Sequence, residues 1–388
     1  MQVVVTGIGL LSSLGSSLEK SWLRLMMGES AIQVKQPFPE LPPRPLGLIG
    51  QSPAQLIPLI ERVVPVALKD AGLATPLPDC GVAIASSRGQ QTRWEEYLVH
   101  QHLVHQHISQ NHCPEANLED WLESLPHMGA IAAAKLLGAT GTVLAPMASC
   151  ATGIWSLARA FELIKFGECD RVLAGAVETP VTRLSLAAFA KMGALAKTGC
   201  YPFDLQREGL VLGEGGAIFV LESAELAKRR GAKIYGQILG VGITNDASYL
   251  NRPEPEGKTA LKAIEQCLNR SKLSASEIHY IHAHGTSTTL NDRFEANLVQ
   301  KLFPIDVPVS STKGATGHTL GASGALGAAF CLMALKEGFV PPCVGLTESE
   351  FDLNLVTKAY PRDLQNVLCL TFGFGGQNAA MAFGKSIF

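Results

Sequence analysis

The sequence predicts an α/β protein made of two similar layered halves, and two observations carry that prediction. Short apolar, β-branched runs alternate with helical stretches along the chain. In each half, a strand also delivers polar residues to its C-terminal end just before a helix packed with small residues. TVLAPMASCATG does this in the first half and VPVSSTKGATGHTLGASG in the second. Strands that are apolar throughout imply sheets covered on both faces by helices.

Taken in order, the first half reads QVVVTG, GVAIASS, TVLAPMAS, RVLAGAVE and AIFVLES as strands, with helices expected over Leu18–Met27, Ala54–Ala71 and Ala151–Gly167. The second half reads IYGQILGVGIT and IHYIHAHG as strands, separated by a helix over Lys258–Asn269. A helix over Asp292–Phe303, the strand VPVSST and a helix over Leu320–Glu337 follow. Two strands, NVLCLTFGFG and AAMAFGK, close the chain around a Gly-rich turn. The charged AELAKRRG near Ala224–Gly231 marks the boundary, giving halves of 1–225 and 226–388. Gln33–Pro58 is Pro-rich and irregular, and Gln90–Leu125 reads as a polar, His-rich excursion from the layers.

Composition narrows the function class. Of 388 residues, 47% are hydrophobic and 17% charged, which excludes disorder and coiled coil. A net charge of 32 − 34 = −2 argues against a general nucleic-acid binder. Nine cysteines without a CxxC pair read as reduced thiols, so a cytoplasmic location is expected. The N-terminus lacks the basic region of a signal peptide. Two uncharged runs, Leu136–Ala158 and Thr319–Leu335, are long enough to consider as spans. The first holds Pro146 and three glycines, and the second is Gly/Ala-rich and followed by Lys336 and Glu337. Both read as core elements, and no membrane span is expected.

Three residues stand out chemically. Cys150 follows a strand and opens an apolar helix, where the helix dipole would favour a thiolate. Its small neighbours permit a tight elbow. On local sequence alone it is equally an inert buried thiol, the reading given to Cys169, Cys267 and Cys331. His284 and His318 both sit at strand-to-helix switches, where active sites of layered α/β proteins gather. A cysteine with two such histidines suits a nucleophile with proton-handling or oxyanion-stabilising partners. The stretch His100, His102, His105, His107, His112 and Cys113 lacks a closed ligand pattern, so no metal is expected. Trp94, Trp121 and Trp155 are taken as packing residues.

ASCATG, YPFDLQREGLVLGEGG, HAHGTST, STKGATGHTLGASG and TFGFGGQN occur in the order and spacing of the β-ketoacyl synthases. The chain resembles the elongating Cys-His-His type of the thiolase superfamily over nearly its whole length. The resemblance implies a thiolase-like fold with a five-layer α-β-α-β-α arrangement. It implies decarboxylative Claisen condensation of an acyl-enzyme thioester with malonyl-carrier protein, in fatty-acid or polyketide-like lipid synthesis. Cys150 would take the acyl chain, with backbone N–H groups of Cys150 and Phe372 as the oxyanion hole. His284 and His318 would stabilise the enolate, and Lys313 would support them. Thr286 and Thr288 match residues that contact the pantetheine arm, and Phe372 and Phe374 fall on the turn that gates the acyl pocket. Asp292 and Glu295 match buried acids behind the first histidine, with helix capping and structural pairing as the alternative role.

No cofactor is implied beyond the phosphopantetheine that an acyl carrier protein brings. The implied partners are that carrier protein and a second subunit, in a homodimer or heterodimer. Two other functions are weighed: a non-elongating subunit resembling a chain-length factor, and a carrier-dependent acyltransferase.

Departures from the pattern fall at particular residues. Bacterial fatty-acid elongating synthases commonly carry Glu nine residues after the second histidine, where this chain has Gly327, so Lys313 lacks its usual partner. Modular polyketide ketosynthases also lack that Glu, which points towards polyketide-like or specialised lipid substrates. Leu370 and Gln377 alter the Gly-rich turn, the Lys197–Cys200 loop is short, and Gly50–Arg62 offers only Arg62 to an acidic carrier. The C-terminal motif FGFGGQN lacks a thiolase's second cysteine, and His318 separates the chain from initiating Cys-His-Asn synthases.

Overall fold

The computed structural model describes residues 1–98 and 118–386. The His-rich stretch from His100 to Cys113 lies outside them. The first half supplies β1 (Val3–Ser12), α1 (Leu18–Met26), β2 (Gln33–Lys35), β3 (Arg44–Leu46), α2 (Leu56–Asp70) and β4 (Gly81–Ala85). It continues through α3 (Leu118–Glu123), α4 (Met128–Leu137), β5 (Val143–Leu144), α5 (Thr152–Lys165), β6 (Arg171–Glu178), α6 (Arg183–Lys191) and β7 (Gly215–Ser223). After α7 (Ala224–Arg229) come β8 (Gly236–Asn245), α8 (Lys258–Ser271), β9 (Tyr280–His282), α9 (Thr289–Leu302), β10 (Pro308–Ser310) and α10 (Lys313–Thr316). The chain ends with α11 (Ser323–Glu337), β11 (Phe339–Val340), β12 (Asn354–Leu355), β13 (Tyr360–Pro361), β14 (Asn366–Gly373) and β15 (Gln377–Gly384).

The halves repeat one topology. In the first, the order β1-β7-β6-β4-β5 runs antiparallel, antiparallel, parallel, parallel. In the second, β8-β15-β14-β9-β10 repeats those four relations, and β12 extends the far edge. The half-sheets are not separate. Val3–Val5 pair antiparallel with Gly236–Ile238, joining them into one eleven-stranded sheet.

Three apolar clusters show how this sheet becomes five layers. The first packs α2 and α4 on one half-sheet, and the third packs α8 and α9 on the other. Between the half-sheets lie α5 and α11, whose residues share one core with strands of both halves. The two central helices touch at their N-terminal ends. A Cβ on Gly153 would lie 2.5 Å from the Ala325 backbone nitrogen, so only glycine permits that approach. Cys150 and His318 precede these two helix starts, so this contact brings them together.

The span Leu320–Glu337 is long and apolar enough to cross a bilayer, yet 89% of it is buried inside the protein. It is a core helix. Two predicted strands proved shorter than read. TVLAPMAS pairs only at Val143–Leu144, and VPVSST only at Pro308–Ser310. In both, the polar C-terminal part leaves the sheet to form the site. Pro146, which has no N–H for the ladder, accompanies the first departure.

Candidate active site

Cys150 lies in a short 3₁₀ turn, Ser149–Ala151, directly before α5. Ser149 takes the left-handed region at φ 48°, which makes the elbow sharp. His284 follows β9 and precedes α9, and His318 lies between α10 and the 3₁₀ turn that opens α11. The reactive atoms of Cys150, His284 and His318 all lie within 4.8 Å of one another. The two imidazoles meet edge-on, with centroids 5.3 Å apart. The same three donors could hold a soft divalent ion.

The surroundings set the protonation states. Burial pushes the Cys150 thiol up to about 11, with Lys313 and Arg88 pulling it back. This corrects the expectation of a thiolate favoured by the helix start: desolvation is the largest cause, and the resting group is a thiol. Burial, then Lys313, holds His284 well below the ordinary histidine value, and the same two causes act on His318. Both rings are therefore neutral near pH 7.

Lys313 reaches His284 from α10. Its Nζ donates to the His284 carbonyl oxygen and lies 3.5 Å from His284 Nδ1. An ammonium donating to Nδ1 leaves the imidazole proton on Nε2. Burial lowers the Lys313 value, and Glu295 opposes that shift. His318 is fixed through its main chain, its N–H donating to Val211 at 2.6 Å and its carbonyl accepting from Gly213. His318 Nδ1 is buried without a hydrogen-bond partner.

Asp292 and Glu295 act on the loop from α9. Glu295 accepts from the backbone N–H groups of His284 and Gly285 at 2.6 and 2.7 Å. Asp292 accepts from those of Thr286 and Phe203 at 2.9 and 2.8 Å. Both are buried, and desolvation raises Asp292 to about 6 and Glu295 to about 7. Thr286 and Thr288 share a hydroxyl contact of 2.9 Å and line a cavity of about 410 Å³ with Cys150, His284, His318, Phe372 and Phe374. Thr288 also caps α9, accepting from the Asn291 N–H.

The oxyanion assignment requires a correction. The backbone N–H that faces Cys150 Sγ is that of Phe374, not Phe372. Phe372, next to last in β14, is a largely buried ring at the cavity wall, edge-on to His284 at 6.0 Å and to Phe294 at 5.5 Å. Gly373 brings this backbone close, since a Cβ there would sit 3.0 Å from the Cys150 nitrogen. Leu370 is a core residue beneath α8 and α9. Gln377 continues the hairpin opposite Gly373.

Glu178 and His282 escaped the sequence reading. Glu178 ends β6 and gathers Ser86, Ser87, Arg88 and Gly321 around one buried carboxyl group, tying the Arg88 loop to the turn before α11. An acid closing the apolar run RVLAGAVE was its signal. His282 Nε2 lies 3.0 Å from Thr312 Oγ1.

Comparison with known proteins decides the family. The profile described as "Beta-ketoacyl synthase, N-terminal domain" matches residues 52–227, and "Beta-ketoacyl synthase, C-terminal domain" matches 235–347. The chain belongs to the β-ketoacyl synthase family. A Schizosaccharomyces pombe protein named as a mitochondrial 3-oxoacyl-(acyl-carrier-protein) synthase is 30% identical over 426 residues, covering 99% of each chain. The 3-oxoacyl-(acyl-carrier-protein) synthase 2 of Staphylococcus aureus is 36% identical over 260 residues, 64% of this chain and 63% of that one. Among solved structures, a type II polyketide ketosynthase in complex with its acyl-carrier protein superposes with a TM-score of 0.92 at 27% identity, covering 99% of both chains. A β-ketoacyl synthase from Burkholderia phymatum gives 0.90 at 28%, again over 99% of both. The thiolase fold and the Cys-His-His type of this β-ketoacyl synthase are thereby established, and it is an acyl-transferring condensing enzyme.

Proposed function

We propose that this β-ketoacyl synthase elongates acyl chains held on a carrier protein, with Cys150 as nucleophile and His284 and His318 as the enolate-stabilising pair. The observation that carries this reading is the gathering of their three reactive atoms within 4.8 Å at one cavity.

In the first half-reaction, the Cys150 thiol attacks the acyl thioester and passes its proton to the neutral His318 imidazole, since the His284 ring carries its proton on Nε2 and accepts from Lys313 at Nδ1. The N–H groups of Cys150 and Phe374 receive the tetrahedral oxyanion, and the carrier thiol leaves with the proton. In the second, the thioester carbonyl of malonyl-carrier protein accepts from His284 and His318. Carbon dioxide departs, and its bonding electron pair becomes the enolate. The enolate carbon attacks the acyl-Cys150 carbonyl. Collapse breaks the C–S bond, releasing a 3-oxoacyl thioester two carbons longer and restoring the Cys150 thiol after protonation. Lys313 acts behind His284, holding its carbonyl and its tautomer. Thr286 and Thr288 offer hydroxyl groups to the pantetheine arm, and Phe374 flanks the acyl entrance. No cofactor beyond that arm is needed.

We assign the partners on the same footing. An acyl carrier protein delivers both substrates, and a second ketosynthase-like chain pairs along the sheet edge at β5, whose Val143 and Leu144 remain half-exposed. Structures of similar chains include the ketosynthase bound to its carrier protein and a ketosynthase/chain length factor from ishigamide synthesis. The same-chain homodimer is our first choice. A reducing, aqueous compartment such as the cytoplasm suits the eight described cysteines, all free.

The test is mass spectrometry of the purified protein with a panel of acyl carrier proteins, followed by malonyl-carrier protein. An acyl adduct on the Cys150 peptide and a 3-oxoacyl product two carbons longer are expected. An adduct that never yields product would overturn condensation in favour of acyl transfer alone.

A further inference from the structure

We propose that His282, seated over Gly327 and hydrogen-bonded to Thr312, is a positioning residue for Lys313, filling from β9 the space that a side chain on α11 would otherwise occupy. The inference rests on the reading of Lys313 and His284 as decarboxylation machinery.

The space is a single one. A Cβ on Gly327 would lie 2.7 Å from His282 Cε1, 2.8 Å from its Nδ1 and 3.0 Å from Cys369 Sγ. No residue larger than glycine fits there while the imidazole is present. The missing side chain at position 327 and the histidine at 282 are therefore one feature.

The imidazole is connected at both ends. Its Nε2 lies 3.0 Å from Thr312 Oγ1, and its Nδ1 lies 3.9 Å from Cys369 Sγ, across the register that pairs Cys369 with His282. Thr312 is the residue before α10, whose first residue is Lys313. Its carbonyl accepts the N–H groups of Ala315 and Thr316. Holding the Thr312 side chain thus fixes the turn that aims Lys313 at His284. Hydrogen bonding from Cys331, then His282 and Lys313, draws the Cys369 thiol below its ordinary value.

The experiment measures carbon dioxide release from malonyl-pantetheine, with the final stoichiometry of iodoacetamide labelling at Cys150, which unlike its rate does not follow the thiol's titration, as a readout of an intact nucleophile. Four full-length variants are compared with wild type: His282→Leu, His282→Gln, Gly327→Glu and His282→Ala/Gly327→Glu. His282→Leu should lower kcat for decarboxylation roughly 10- to 100-fold, with KM and Cys150 labelling within about twofold. His282→Gln keeps an amide for Thr312 and should recover most of that loss. Gly327→Glu alone should be inactive, and the double variant should rise from that level only to that of His282→Leu, because the volume is vacated while Thr312 still lacks its partner. Should His282→Leu fail to fold, the Gln and double variants decide the matter. Equal losses in His282→Leu and His282→Gln, no gain in the double variant, or labelling and decarboxylation falling together would overturn the proposal. A wild-type protein that labels at Cys150 but releases no carbon dioxide would instead overturn the functional reading beneath it.

Discussion

Glu295 accepts the His284 backbone N–H at 2.6 Å and that of the following glycine at 2.7 Å, so one buried carboxyl group sets the direction in which the imidazole leaves the chain. Lys313 holds the carbonyl of the same histidine from α10. The His284 imidazole is therefore placed through its main chain on both sides, which suits the proposed role of presenting its Nε2 to substrate.

Glu295→Ala strands two buried donors and should cost about 2–5 kcal/mol of stability. Glu295→Gln keeps one good acceptor and should cost less. The folded carboxyl sits at about 7, above its ordinary 4.5, so the unfolded chain loses this proton first as pH rises. Its contribution to stability is full below about pH 4.5 and is lost as pH rises through about 7. Wild type should therefore lose more stability than Glu295→Gln between those limits, as read from denaturant midpoints. Parallel curves would remove the carboxyl group from the account.

The state of Cys150 gives a second prediction. A thiol pushed up to about 11 is almost wholly protonated at neutral pH, so alkylation by iodoacetamide should climb roughly tenfold per pH unit from about pH 6 to 8. With both histidines held well below their usual value, decarboxylation of a malonyl thioester should stay flat over that range. An alkylation plateau with a midpoint near pH 6 would mean that a resting thiolate–imidazolium pair forms after all.

The two phenylalanines of the Gly-rich motif should separate cleanly. Phe372 is buried against His284 and Phe294, and its replacement by alanine should cost about 3–5 kcal/mol and disturb the histidine. Phe374 is half-exposed at the cavity, with Phe189 at 6.2 Å. Phe374→Ala should leave stability within about 1 kcal/mol and change which acyl lengths load onto Cys150. Thermal unfolding beside an acyl-loading panel separates these outcomes; equal stability losses would contradict the division of roles.

Much of this was legible in the sequence because strand periodicity and the polar strand ends are local signals. RVLAGAVE is β6 from first residue to last, and Cys150, His284 and His318 sit at the switches where they were expected. What was missed depends on contacts between distant segments. Phe372 and Phe374 are two residues apart, and only the course of the backbone past Gly373 decides which N–H faces Cys150. His282 meets Cys369 through a parallel register between β9 and β14, and it meets Gly327 through the packing of α11 on that sheet. None of those distances is written in either segment alone. The thiolate expected from the helix start failed for a similar reason, because burial is a property of the assembled core.

The most direct test of the central claim is carbon dioxide release from malonyl-carrier protein by wild type, Cys150→Gln, His284→Ala and His318→Ala, run beside acyl labelling of each. The account predicts that Cys150→Gln loses all acyl labelling yet still decarboxylates. Either histidine variant should label and lose decarboxylation by roughly 100-fold or more. Undiminished carbon dioxide release from both histidine variants would contradict it.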